Sequence, residues 1–186
     1  YNTGDRMIQK FNIGSIAKKL LELVADWKGE PTKSAFNIRE DSECAGRQNT
    51  ENVRIESKTD RPGIDIIVKN NTKGEKIYIP ALVTHSGVKD LVYNDFYIGE
   101  NADVTIVAGC GVNSEDGHDA RHNGIHRFFL EKNARVVYVE KHIGMGEGTG
   151  ERIINPQTYI EAAEDSYMEM ETTQIKGVDS TKRFSK

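Results

Sequence analysis

Between residues 16 and 27 the apolar positions Ile16, Leu20, Leu21, Leu23, Val24 and Trp27 recur at helical spacing. Ser15 stands where a cap belongs, and Gly29-Glu30-Pro31 closes the segment, so the pattern predicts one amphipathic helix over 15–28. From about Val53 the period changes. Short β-branched runs at 64–68, 76–79, 91–98, 104–108, 125–130, 136–140 and 167–173 alternate with glycine and asparagine turns. No helical period interrupts them, which argues against a βαβ sheet.

Two of these stretches repeat. Residues 96–104 match residues 128–136, with Asn101-Ala102 falling on Asn133-Ala134. The offset is 32 residues, and a third copy fits at 159–167 with a shift of 31. Each unit reads strand, tight turn, strand, long loop. A repeat of this length built only from strands predicts either a parallel β-helix or a sandwich of stacked hairpins.

Carried through the second strand of each unit, the offset sets Val104, Ile106, Ala108 and Cys110 against Val136, Tyr138, Glu140 and His142. The third copy would add Tyr167, Glu169, Glu171 and Thr173. The opposite face carries Thr105, Val107, Val137, Val139, Met168 and Met170. That face is the more uniformly apolar and is expected to be the core. The face with Cys110 is expected to look outward.

Composition narrows the function classes. The 186 residues suit one main domain, expected as an N-terminal helix and connecting segment over 1–52 and a β core over 53–186. Twenty-five Lys and Arg against 29 Asp and Glu leave a net charge of −4, which argues against a basic nucleic-acid face. No apolar run reaches the roughly 18 residues of a membrane span, and no signal peptide is visible. Two cysteines rule out a disulfide scaffold and fit a reducing, cytoplasmic setting. The chain opens on Tyr1 rather than Met, so the native start is expected upstream.

Candidate chemistry concentrates in residues 107–126, which hold Cys110 and three of the five histidines. His118, His122 and His126 are spaced by four, but Gly117, Asn123 and Gly124 argue against the helix that would align them. Imidazole and thiolate suit soft and borderline metals, although no Cys-x-x-Cys or His-Glu-x-x-His pattern is present. A polar loop with backbone-bonded histidines is the competing reading. Cys110 ends a strand between two glycines, which would leave its thiol accessible, and the offset sets His142 beside it with Glu140 and Glu171 nearby. A small buried hydrophobe is the alternative for Cys110. Cys44 lies in a polar segment with no feature that would activate it. The glycine-rich 144–150 lacks the lysine of a Walker loop and reads as a flexible loop, so no nucleotide is expected on this chain.

Val107-Ala108-Gly109-Cys110, His122-Asn123-Gly124, Lys132-Asn133-Ala134 and Gln174-Ile175-Lys176-Gly177 together resemble the SufB/SufD family of iron–sulfur cluster assembly proteins, over about residues 35–184. The resemblance implies a right-handed parallel β-helix and a scaffold rather than a classical enzyme. It implies a transient iron–sulfur cluster as cargo, a SufC-like ATPase of the ABC type and a SufB/SufD-like subunit as partners. Cys110 matches the cysteine implicated in building the nascent cluster. Combined with the offset, this makes Cys110 the expected sulfur or iron acceptor, with His142, Glu140 and His122 as helpers. The chain reaches Lys186 before the later rungs and the ATPase-docking helices of the family, so it is expected to be an N-terminal portion or a short relative. Its open strand edge is expected to be closed by another copy. Two rival functions are a metal-dependent β-fold enzyme using His118, His122 and His126, and a SufD-like structural partner with no cluster ligands.

Overall fold

The computed structural model describes residues 13–176, 180–181 and 184–185. Residues 1–12 of the N-terminal segment and Gly177 of the Gln174–Gly177 ending lie outside them. The chain is mainly β, with one short helix and a β-solenoid of about four turns. Two parallel-stranded sheets face each other. The first stacks β5 (Lys73–Tyr78) with β6 (Ala81–Val83), β8 (Asp103–Asn113), β10 (Arg135–Met145) and β12 (Tyr167–Lys176). The second stacks β4 (Gly63–Val68), β7 (Lys89–Ile98), β9 (Ala120–Leu130), β11 (Arg152–Ala162) and the short β13 (Ser180–Thr181) and β14 (Phe184–Ser185). The solenoid form thus replaces the sandwich alternative.

The strands begin earlier than Val53. β1 (Ala35–Glu40) and β2 (Glu43–Gln48) form an antiparallel hairpin whose first strand joins the first sheet beside β5 and β6. β3 (Val53–Ser57) pairs antiparallel with β4 and ends the second sheet. Most strands also outrun their sequence estimates, because the loop-like residues 109–113 and 120–124 continue the ladder.

The corners carry the period. Asn71, Asn101, Asn133 and Asp165 all hold the left-handed conformation, with φ of 64°, 60°, 58° and 58°. Asparagine tolerates this region better than other side chains that carry a Cβ. Asn133 Nδ2 donates to Asn101 Oδ1 at 2.8 Å, and Asn101 Nδ2 to Asn71 Oδ1 at 3.3 Å. The two Asn-Ala corners therefore sit in register, and Ala102 and Ala134 turn fully inward. The 32-residue offset holds along β8 and β10 from Asp103↔Arg135 to Asn113↔Met145. It also holds for the third copy, where Met168 and Met170, not Tyr167 and Glu169, align with Val136 and Tyr138. The shift of 31 is corrected by one residue, which puts Glu171 opposite Val139.

The faces are the reverse of the expectation. Val104, Ile106, Val136 and Tyr138 line the lumen with Phe96 and Phe128 of the second sheet. Phe96 stacks on Phe128 at 4.3 Å, and Tyr138 meets Phe128 edge-on at 4.9 Å. Val107 and Val139 are apolar for another reason: helix α1 (Ser15–Ala25) covers them with Leu20, Leu21 and Val24. Gly14, not Ser15, is the N-cap, without a side-chain hydrogen bond, and the helix ends at a left-handed Asp26. A methyl group on Gly109 would lie 2.4 Å from Val24 Cβ, so the helix approaches the sheet only because that position has no side chain.

Candidate functional site

Alternation along β8 sends Gly109 and Gly111 toward α1 and Cys110 into the lumen. The thiol is therefore buried, at 6% exposure, rather than accessible. On β10 the same alternation sends Tyr138, Glu140 and His142 inward, and His142 is the direct cross-strand partner of Cys110. On β9 a spacing of four is two strand periods, so His122 and His126 share the inner face with Gly124 between them. These residues line one cavity of about 40 Å³, room for an ion with a water or two. Thus Cys110, His122, Glu140 and His142 all meet one space, although 32 residues separate the first from the last. His118 does not: its side chain is 81% exposed beside Asp116 in the loop before β9. The three-histidine arrangement is corrected to two. Glu171 also stays away, on the outer face of β12.

The cavity carries several polar side chains, and these pair in sets. His142 Nε2 lies 2.6 Å from Glu140 Oε1, both side chains being almost fully buried. A carboxylate only accepts, so Nε2 carries the proton. His142 Nδ1 is then a buried atom with no hydrogen-bond partner. His122 Nδ1 donates to Asp90 Oδ2 at 2.8 Å, and Asp90 also accepts from Arg39 at 2.9–3.1 Å. Burial pushes the Asp90 carboxyl up. The hydrogen bonds and charges of His122 and Arg39 outweigh it and hold the group well below the usual carboxylate range. Tyr138 Oη and His126 Nδ1 are 3.1 Å apart.

Burial pushes the Cys110 thiol well above its ordinary value, and the negative charges of Glu140 and Asp90 push it further. At neutral pH the resting group is a thiol. A cation entering the cavity reverses that electrostatic balance, because it stabilises the thiolate directly. Among the described residues no three His, Cys, Asp or Glu side chains form a ready-made metal cage.

Sequence reasoning missed Arg39, Asp90, Asn94 and Tyr138. Asp90 was findable, since it stands one 32-residue period before His122. Tyr138 reaches His126 across the lumen and Arg39 comes from the capping hairpin, so no period announces either. The glycine-rich segment also differs from expectation. Arg152 donates to the carbonyls of Met145, Gly146, Gly148 and Ser114, and Gly148 N and Gly150 N donate to Ser114 O and Asp116 O. That segment is a tied corner.

No family model matches the chain, and neither does any curated protein or solved structure. Among the described residues, no helix is long and apolar enough to cross a membrane.

Proposed function

We propose that this chain is a scaffold component of iron–sulfur cluster biogenesis, in which Cys110 accepts sulfur or iron inside the solenoid. The observation that carries the reading is the meeting of Cys110, His122, Glu140 and His142 in one buried cavity. Thiol, imidazole and carboxylate are the donors that iron and sulfide chemistry uses. The pairing of Glu140 with His142 Nε2 leaves Nδ1 as the ring atom available beside Cys110. In this reading the cluster is cargo, and a partner supplies further donors, since an iron–sulfur cluster is held by about four ligands, mostly thiolates. A SufC-like ATPase and a SufB/SufD-like subunit, or a second copy of this chain, are the partners of this reading, and the cytoplasm is its compartment. The reading is supported by the resemblance at residues 107–110 and 122–124, which supply Ala108, Gly109, Cys110, His122 and Gly124 of the cavity lining.

Anaerobic reconstitution with iron and sulfide tests it. The wild type should gain sulfide-dependent visible absorbance and bound iron, and Cys110→Ala should lose most of both. Because a thiolate ligand must shed its proton, loading should weaken as pH falls. Equal iron and absorbance in the two proteins would remove Cys110 from the role.

A further inference from the structure

The cavity has a second wall, on β9, of which the cluster reading uses only His122. A Cβ built on Gly124 would lie 2.7 Å from His126 Nε2 and 3.3 Å from His122 Nε2. Both ring nitrogens thus lie over Gly124, so close that a side chain at that position would have to displace them. Both rings are held from behind, His122 by the Asp90 carboxylate and His126 by the Tyr138 hydroxyl. A carboxylate on the far nitrogen is the arrangement that orients metal-binding histidines and raises their basicity. It also fixes the tautomer: with the proton on His122 Nδ1, the lone pair is on Nε2.

An independent observation points to the same space. Asn94 is the cross-strand partner of His126, lines the cavity and is 7% exposed, yet its Oδ1 has no hydrogen-bond partner. An unsatisfied buried carbonyl oxygen of this kind is costly, and a ligand that bonds to it recovers that cost. The geometry points to a mononuclear site for a borderline divalent cation (zinc, cobalt or ferrous iron) formed by His122 Nε2, His126 Nε2 and Asn94 Oδ1. Water completes its coordination, since among the described residues no third His, Cys, Asp or Glu closes it. It shares His122 with the cluster-handling set but uses none of Cys110, Glu140 and His142, and it does not require the cluster reading.

The test is titration of the 186-residue chain with Zn²⁺ by calorimetry and with Co²⁺ by visible absorption. The wild type should bind one equivalent, and the Co²⁺ spectrum should lack a sulfur-to-metal charge-transfer band. His122→Ala should weaken Zn²⁺ at least tenfold. Gly124→Ala, which keeps both imidazoles but presses a methyl group against both Nε2 atoms, should do the same. Cys110→Ser should change the affinity less than threefold. Should His122→Ala not fold, the Co²⁺ spectrum and Gly124→Ala decide. Absence of binding, unchanged affinity in Gly124→Ala, or a sulfur band abolished by Cys110→Ser would overturn the assignment. The last of these would place the ion at Cys110 and leave the cluster proposal standing. Loss of cluster loading in Cys110→Ala with Zn²⁺ binding intact would support both.

Discussion

Single residues decide where charge can sit in this protein. Outside the cavity, Lys58 Nζ bridges Asp65 Oδ1 at 2.6 Å and Asp95 Oδ2 at 2.8 Å, and Arg127 binds both oxygens of Asp95. Burial pushes the Asp95 carboxyl up, but its hydrogen bonds from Arg127 and Lys58, with their charges, bring it below the ordinary value. A carboxyl depressed on folding contributes stability above its unfolded pKa of about 4, and that contribution is lost as pH falls below it. Asp95→Asn should therefore cost about 3 kcal/mol at pH 7, because it leaves Lys58 with one weaker partner in a buried place. The gap between variant and wild type should narrow at pH 3. Urea midpoints at the two pH values measure it, and a gap that widened in acid would contradict the assignment. The same logic applies with opposite sign to Cys110, where negative neighbours and burial favour the neutral form until a cation arrives.

At the scale of elements, the Gly109-Cys110-Gly111 run does two things at once. Its glycines admit α1 to one face of the first sheet, and its cysteine reaches the lumen from the other. Gly109→Ala would drive a methyl group to 2.5 Å from the Val24 carbonyl oxygen, which is backbone and cannot rotate away. The helix must shift, and the cost should be about 2 kcal/mol of stability. Chemical denaturation checks this, and the change should leave Cys110 in the lumen. The corner ladder is the other device of this scale: Asn101 and Asn133 combine a left-handed backbone with a side chain that bonds to its copy one coil away.

For the whole molecule, stacked coils contact only their neighbours, so local stability follows the number of neighbours. β8 is paired on both sides, by β5 and β6 and by β10. Among the described residues β12 is paired only with β10, and its other edge is open. Hydrogen exchange in the isolated chain should therefore be slower in β8 than in β12. Protection of β12 equal to that of β8 would mean that a second copy covers the edge, which size measurement at the same concentration would reveal.

The sequence by itself determined the strand-rich class, the 32-residue period and the pairing of Cys110 with His142, because a coil-to-coil offset is a property of spacing along the chain. It also determined that Glu140 and His142 share a face, since alternation is local. It did not determine which face was inside. Val107 and Val139 are apolar because a helix from the other end of the chain lies over them, and a local pattern cannot distinguish that cover from a core. Nor could it turn the histidine spacing into a site. The tertiary structure decided that residues 120–124 are strand, which brings His122 and His126 together and leaves His118 outside. Polar contacts across the lumen, such as Tyr138 with His126 and Arg39 with Asp90, join residues related by no period, so only closure of the coil could create them.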